Sequence, residues 1–306
     1  MLSTNHSSIA QAQEFLTRAS NNGRFPLYIS DFRDMRTATL APPEFASSAL
    51  YLDCLGREQP DSELTHQVIE YLKSSVLPDM TVCFTEDLTL MPPDSETTSF
   101  IVGLLWELGA LNTETAQKVA NRVLGNKDNQ GKLHIYFERE DKPDRRLDYV
   151  SALNMLTFLG QLGREEEATT TISWVDEIFA TKGFYQGSRY YHSPSYFLYF
   201  AARLVNRVPK LGKRWIPQLQ EALTTYTADP RYIIEFSTYI TAQAWLNVSI
   251  SSTSIEMLKS LQKPSGAWPS DSIYHLGSVR PIRYFGSEIL STIFAGQALV
   301  EAGKAP

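Results

Sequence analysis

Two carboxylic acids, Asp94 and Glu96, stand one residue apart in the segment PPDSETTSF, at the start of the apolar run FIVGLLWELGA. Burial raises the pKa of a carboxyl group, and two carboxyl groups close together resist joint ionisation. A carboxyl group that is held neutral in this way is a general acid. A helix N-terminus at this point would also stabilise the negative charge left after proton transfer. The segment therefore suits a proton source, provided that it faces a cavity.

The same acids also have a purely structural explanation. Aspartate after two prolines is a good N-cap, and acidic residues are favoured in the first turn of a helix. The two explanations are compatible, because Asp94 is able to cap the helix and to support Glu96 at the same time. Thr97 follows directly and is placed to hydrogen-bond to the pair. Which of the two explanations applies depends on whether the surrounding elements form a cavity at this segment.

Apolar residues at helical spacing occur in six pairs of segments separated by turn-rich connections. The outer segments of the pairs are residues 7–20, 62–75, 114–125, 167–181, 213–226 and 253–262. The inner segments are residues 43–55, 96–110, 148–162, 194–207, 232–247 and 285–302. The inner segments are poor in charge and apolar around most of their circumference, which is typical of buried helices, whereas the outer ones have a polar face.

Six outer and six inner helices, without a convincing alternating strand pattern, predict an all-α fold. We expect a single (α/α)6 barrel, a toroid of six helical hairpins; an irregular α-solenoid is the alternative. No linker-like tract divides the chain, so residues 1–306 are expected to form one domain. The connections before the inner helices are long, which is usually a functional feature. In a toroid they would gather at one end, around the mouth of a central cavity.

Composition excludes several classes of function. The net charge of −6 offers no basic surface for nucleic acid. The two cysteines, Cys54 and Cys83, are too few for a disulfide framework and fit a reducing compartment. The N-terminus lacks the pattern of a signal peptide, and no apolar run is long enough to span a bilayer. We therefore expect a cytoplasmic protein, and the oligomeric state stays open.

A resemblance to a known family enters at residues 262–268. Gln262, Gly266 and Trp268 have the spacing QxxxGxW, the repeat motif of squalene-hopene and oxidosqualene cyclases. The segment 94–98, Asp-Ser-Glu-Thr-Thr, resembles the DxDD or DxDTT motif that class II terpene cyclases carry at the start of an inner helix. The chain resembles that family over essentially its whole length, but with one barrel, like the β-domain of terpene cyclases. It resembles the single-domain branch of these cyclases, which includes the merosterolic acid synthase type.

The resemblance implies a role for each acid. Glu96 would protonate an alkene, and Asp94 would support it. Two departures from the motif stand out: glutamate replaces the usual aspartate, and Thr97 stands where a third carboxylate often lies. A glutamate is one methylene longer, so the cavity must be shaped to match it.

A carbocation formed by protonation needs aromatic faces, which stabilise it through cation–π attraction. We expect four aromatic residues of the mouth loops to line the cavity: Tyr191, Trp268, Tyr284 and Phe285. Many aromatic residues at helical spacing are core residues instead. For the polar end of the substrate the candidates are Arg189, Arg280 and Arg283, and Asn154 on the third inner helix is expected to face the cavity. An isolated loop arginine is more often part of a surface salt bridge.

The predicted function is proton-initiated cyclisation of a linear polyprenyl substrate, a hydrophobic small molecule, and a prenylated aromatic is favoured. The alternatives are a drimenyl- or labdane-type diphosphate cyclase, a sugar-processing toroid with paired carboxylates, and a non-catalytic isoprenoid-binding toroid. No cofactor is expected, because aspartate-rich magnesium motifs and zinc ligands are missing; Mg²⁺ would be required only with a diphosphate substrate. Contact with membranes is expected to be weak and peripheral at most.

Overall fold

The computed structural model describes residues 2–137, 147–277 and 281–305. Thirteen α-helices lie in these ranges. Six outer–inner pairs follow one another: α1 (Leu2–Ala19) and α2 (Ala46–Cys54), α3 (Glu63–Ser74) and α4 (Ser95–Glu107), α5 (Thr113–Gly125) and α6 (Tyr149–Gln161), α7 (Thr169–Ala180) and α8 (Pro194–Arg207), α10 (Ile216–Thr225) and α11 (Ile233–Trp245), α12 (Ser252–Ser260) and α13 (Glu288–Lys304). The short helix α9 (Pro209–Gly212) lies between the fourth and fifth pairs.

The inner helices close into a ring. Helix α2 contacts α4, and the contacts continue through α6, α8, α11 and α13 until α13 packs against α2 again. An open solenoid lacks this last contact, so the alternative of an irregular solenoid is wrong and the predicted helical toroid is confirmed. The inner helices are almost wholly buried, whereas the outer ones are buried along one face, as their patterns predicted.

The QxxxGxW motif joins the last hairpin to the first helix. The Gln262 side chain donates Nε2 hydrogen bonds to the carbonyl oxygens of Ser8 and Gly266, each at 2.9 Å. Gly266 has a φ of +91°, and a Cβ at this position would collide with the backbone carbonyl of Gln11 in α1. Only glycine fits such a backbone conformation and such a close approach without strain. The motif therefore holds α1 against the connection between α12 and α13.

The inner helices begin at one end of the toroid, and polar caps set several of their first residues. The Asp94 carboxylate accepts from the backbone N–H of Thr97 at 2.6 Å, and the Asp148 carboxylate accepts from that of Val150 at 2.8 Å. Helix α13 begins at Glu288, because Ser287 caps it by accepting from the Leu290 N–H. That start is three residues later than the sequence pattern indicated.

A small antiparallel sheet lies at this same end. Its strands are β1 (Tyr28–Ser30), β2 (Thr39–Leu40), β3 (Asp271–Leu276) and β4 (Arg283–Ser287), in the order β2-β1-β4-β3. The sequence analysis expected no strands, and that was wrong for these loops. Strands β1 and β2 have only three and two residues, and β3 (DSIYHL) and β4 (RYFGS) do not alternate apolar with polar residues. The sheet places Phe285 opposite Ile29 on one side and opposite Tyr274 on the other.

Candidate active site

A cavity of about 270 Å³ opens at the end where the inner helices begin. Helices α2, α4, α6 and α8 form its walls, and the small sheet contributes residues from β1, β3 and β4. The lining is mostly apolar and aromatic. Within the described residues, the carboxyl groups on the wall belong to Asp94 and Glu96. The helix that the sequence analysis singled out therefore does start at a cavity.

Glu96 projects from the first turn of α4 into the space between α6 and the loop before α8. Its Oε1 accepts hydrogen bonds from the Tyr191 hydroxyl at 2.6 Å and from Asn154 Nδ2 at 2.9 Å. Its Oε2 is hydrogen-bonded to the hydroxyl of Ser151. The Ser151 hydroxyl donates to Oε2. Oε2 accepts one hydrogen bond where Oε1 accepts two, so the proton of the neutral acid fits best on Oε2.

Both carboxyl groups of the cavity are shifted towards the neutral form. Burial raises the pKa of Glu96, and the nearby Asp148 carboxylate adds to the rise, while the three hydrogen bonds oppose it. Burial also raises the pKa of Asp94 to about 7, although the Thr97 N–H favours the ionised form. The charge of Glu96 pushes the Asp94 pKa in the same upward direction. These are the conditions for a general acid.

Aromatic rings surround the acid. Tyr191 makes edge contacts with Phe200 and Tyr274, with ring centres 5.5 and 5.3 Å apart. Phe84 meets Tyr274 edge-on at 5.7 Å. All four rings lie on the cavity wall together with Phe285. A cation in this space would be close to several ring faces and far from bulk water.

Most of the predicted site residues lie together on this wall: Asp94, Glu96, Thr97, Asn154, Tyr191 and Phe285. Three of them come from one helix start, and the others from α6, the loop before α8 and strand β4. Their roles in binding or catalysis remain predictions. What the geometry adds is that Tyr191 and Asn154 contact the carboxyl group of Glu96 itself.

Two aromatic residues were assigned to the cavity wrongly. Trp268 is fully buried in a second apolar cluster with residues of α1, α11, α12 and α13, and its Nε1 donates to the Leu258 carbonyl at 2.7 Å. Tyr284 precedes Phe285 on β4, so its side chain leaves the sheet on the opposite face. Its ring lies 5.4 Å from that of His192, away from the cavity.

Two of the candidate arginines also lie outside the cavity. Arg189 and Arg283 are exposed and do not line the wall. Arg280 lies outside the described residues. Any contact of Arg189 or Arg283 with a substrate would therefore be with a head group beyond the mouth.

Several residues of the site were not assigned from the sequence. Ser151 lies three positions before Asn154 on α6, and residues at that spacing share a helix face, so a polar face on an otherwise apolar inner helix was the available signal. Phe100 is one turn beyond Glu96 on α4.

Phe84 and Tyr274 lie in the long connections before α4 and α13, where aromatic residues were expected to line the cavity, but they were not among the four chosen. Phe200 gave no signal, because its place on the wall depends on how α8 packs.

Neither a metal site nor a membrane span is found in the described ranges. No group of three or more His, Cys, Asp or Glu residues there is arranged to hold a metal ion. No described helix combines the length and apolarity needed to cross a membrane. The expectation of a cofactor-free protein remains a prediction.

No family model matches this chain. A drimenol cyclase, drtB, of Aspergillus calidoustus is 26% identical over 189 residues, which cover 61% of this chain and 34% of the cyclase. The chain thus matches about a third of the length of that curated relative.

Solved structures resemble the chain over nearly its whole length. The type II terpene cyclase MstE from Scytonema superposes with a TM-score of 0.72 and 15% identity, covering 99% of both chains. A variant of MstE in complex with geranylgeranyl dihydroxybenzoate, described as its substrate, gives a TM-score of 0.69 at 14% identity over 99% of this chain and 98% of that one.

A GH76 α-mannanase of Bacteroides thetaiotaomicron gives a lower TM-score of 0.60 at 11% identity over 98% and 96% of the two chains. The chain is therefore similar to class II terpene cyclases: its sequence resembles that of the drimenol cyclase, and its fold resembles that of MstE. It has the helical toroid of MstE.

Proposed function

We propose that this protein is a class II terpene cyclase, an intramolecular isomerase that uses Glu96 as its general acid. The observation that carries the proposal is the position of Glu96. Its carboxyl group has a raised pKa and hydrogen-bonds to the uncharged side chains of Ser151, Asn154 and Tyr191. It opens into an apolar cavity lined by aromatic rings. Such a cavity suits a linear polyprenyl chain, and such an acid suits an alkene.

The first step is proton transfer from Glu96 to the terminal alkene. The O–H bond at Oε2 breaks, a C–H bond forms, and the neighbouring carbon becomes a cation. The carboxylate that remains accepts hydrogen bonds from Asn154, Tyr191 and Ser151, and it faces the N-terminus of α4. These groups are in place before the reaction, so they stabilise the product charge without rearrangement. Asp94 supports the acid, because two adjacent carboxyl groups resist joint ionisation.

The second step is ring closure with the cation enclosed by the cavity. The faces of Tyr191, Phe200 and Tyr274 are at hand to stabilise positive charge, each by roughly 0.5–2 kcal/mol or more in a water-free site. The apolar wall keeps water away until a proton is lost. Loss of that proton to solvent at the mouth of the cavity completes the isomerisation, and Glu96 regains a proton from solvent.

A prenylated aromatic compound is the favoured substrate class. The toroid matches that of MstE, for which a complex with geranylgeranyl dihydroxybenzoate is known. Among the described residues the cavity wall carries no lysine or arginine, so a diphosphate would have no cationic partner inside. The sequence similarity to a drimenol cyclase supports the second candidate, a drimenyl-type diphosphate cyclase. Its head group would have to be bound beyond the mouth, where Arg189 and Arg283 are exposed.

A product assay tests the proposal. Purified protein is incubated with geranylgeranyl dihydroxybenzoate and, separately, with farnesyl and geranylgeranyl diphosphates, beside the variant Glu96→Gln. We expect a cyclic isomer of unchanged mass from one of these substrates, and a loss of roughly 10²–10⁴-fold in rate in the variant. Substrate that binds but is recovered unchanged in every reaction would show instead a non-catalytic isoprenoid-binding toroid.

A further inference from the structure

Asp148 is the N-cap residue of α6, and its carboxylate also binds a second element. It is 3% exposed and does not line the cavity. Its Oδ1 atom accepts hydrogen bonds from the backbone N–H groups of Val150 at 2.8 Å and Ser151 at 3.0 Å. Its Oδ2 atom accepts from the backbone N–H of Tyr190 at 3.2 Å. The two oxygens thus join the first turn of α6 to the loop before α8.

The three hydrogen-bond donors to the acid come from these same two elements. Ser151 and Asn154 lie three residues apart on α6 and so share the face that meets the acid. Tyr191, the third donor, directly follows Tyr190 in the loop before α8. The position of the donors relative to one another depends on how the two elements are joined, and Asp148 joins them at the residue next to Tyr191.

The Asp148 carboxylate also acts on the charge of the acid. Burial raises the pKa of Glu96 most, and the charge of Asp148 is the next influence and raises it further. The other described titratable groups whose charge interacts with Glu96 are those of Asp94, Tyr191 and Tyr274. The hydrogen bond from Tyr191 lowers the pKa of Glu96. Asp148 thus favours the neutral acid before proton transfer, and Tyr191 favours the carboxylate that is left after it.

We propose, resting on the proposed function, that Asp148 is the positioning residue of the acid. It aligns the donors of α6 and of the loop before α8 on Glu96, and it does so without contact to the substrate. Helix capping explains its bonds to Val150 and Ser151. Capping does not explain its bond to Tyr190, which belongs to another element.

Asp148→Asn separates the two tasks of the carboxylate. An asparagine has one acceptor oxygen where an aspartate has two, so it caps α6 but does not hold Tyr190 at the same time. Asp148→Ser is the second variant, since serine is also a good N-cap residue and has a single oxygen. Ser287→Ala is the matched control, because it removes the cap of another inner helix, α13.

Infrared difference spectroscopy measures the placement of Tyr191 without any substrate. Each protein is compared with its Glu96→Gln counterpart at a pH where Glu96 is neutral, which isolates the band of that carboxyl group. A hydrogen bond to Oε1 lowers the frequency of this band. We expect Tyr191→Phe to raise the frequency, both Asp148 variants to raise it in part, and Ser287→Ala to leave it unchanged. In the Tyr191→Phe background, Asp148→Asn should cause no further rise.

The pH profile tests the charge of Asp148. Glu96 donates a proton only while it is neutral, so the single-turnover rate falls as pH rises through its pKa. Asp148→Asn removes a charge that raises this pKa, so the fall is expected at lower pH than in wild type. Tyr191→Phe removes a bond that lowers the pKa, so there the fall is expected at higher pH. A purely structural role of Asp148 would lower the rate without moving the profile.

The outcomes separate this proposal from the proposed function. If wild type cyclises no substrate, the proposed function fails, and the infrared bands still decide the placement. If both Asp148 variants keep the wild-type band, or if the rise in Asp148→Asn adds in full to that in Tyr191→Phe, the positioning role is overturned. If the band of Glu96 in Asp148→Asn titrates at lower pH but the rate profile does not move, Glu96 is not the acid. If Asp148→Asn does not fold, Asp148→Ser decides.

Discussion

Glu96 and Asp53 are carboxylates of neighbouring inner helices with opposite surroundings. Glu96 lies in the first turn of α4 beside the cavity, and Asp53 lies in the last turn of α2 at the other end of the ring. Burial raises the pKa of both groups. At Glu96 the partners are neutral and the pKa stays raised, whereas the guanidinium groups of Arg203 and Arg207 hold the pKa of Asp53 well below its usual range.

The difference shows that burial alone does not decide the charge of a carboxyl group in this fold. A helix N-terminus tolerates an acid, so Glu96 needs no cation. A helix C-terminus disfavours an anion, and Asp53 is therefore paired with Arg203, Arg207 and, at 3.8 Å, Arg57. One end of the toroid thus holds a buried acid among uncharged partners, and the other is fixed by ion pairs.

The largest expected effect is on stability at Asp53. Asp53→Asn leaves the buried Arg203 without its carboxylate partner and Arg207 with Glu107 alone, so we expect a loss of about 3–5 kcal/mol in the free energy of unfolding. Glu96→Gln is the control. It removes a carboxyl group that is already shifted to the neutral form, so it is expected to change the free energy of unfolding by less than about 1 kcal/mol. Denaturant titration measures the free energy of unfolding of both variants. Equal losses in the two would contradict the comparison.

Giving Glu96 a cationic partner should make it resemble Asp53. In Asn154→Lys an ammonium group replaces the neutral amide beside Oε1, so the pKa of Glu96 should fall and the acid should be ionised at rest. Asn154→Met has a side chain of similar length without charge and is the matched control. We expect the lysine variant to initiate cyclisation roughly 100-fold more slowly than the methionine variant. Single-turnover kinetics measures both rates. Equal rates in Asn154→Lys and Asn154→Met would refute the comparison with Asp53.

A smaller effect is expected from removing one neutral donor. Tyr191→Phe deletes the hydroxyl that donates to Glu96 Oε1, so the carboxylate formed by proton transfer is less stabilised. The expected loss is roughly tenfold in the single-turnover rate, as for one hydrogen bond to a charged group. Tyr284→Phe loses a hydroxyl on the other face of the sheet and should react like wild type. If Tyr191→Phe reacts as fast as Tyr284→Phe, the Tyr191 hydroxyl does not stabilise the carboxylate of Glu96.

The last comparison is the dependence of stability on pH, to which several buried carboxyl groups contribute together. Burial raises the pKa of Glu44, Asp94 and Asp271 to about 7 in each case. The folded state therefore binds protons more tightly than the unfolded chain, and stability falls as pH rises from about 4 to about 7. Asp53, with its lowered pKa, acts oppositely and only in stronger acid. We expect a higher Tm at about pH 5 than at about pH 8; the reverse order would contradict the raised pKa values.

The sequence was enough to place the acid but not its surroundings. Helical spacing located α4 and α6, and the proline pair with Asp94 located the start of α4, because these signals are local. The contact from Glu96 to Ser151 joins residues 55 positions apart and depends on how α4 and α6 pack. Trp268 misled for a similar reason, since the spacing of its motif does not show which side of the helix layer it faces. Tyr284 was placed wrongly because β4 does not alternate apolar with polar residues, so the sequence did not show which face of a strand it lies on.

The most direct test of the central claim is an infrared titration of wild type and Glu96→Gln, since a neutral carboxyl group and a carboxylate absorb at different frequencies. The difference between the two proteins isolates Glu96. We predict that the band of a neutral carboxyl group persists above the pKa of about 4.3 of an ordinary glutamate, because burial raises the pKa of Glu96. Conversion to the carboxylate near pH ~4.3 would show that Glu96 is an ordinary acid, and would remove the proton source from this account.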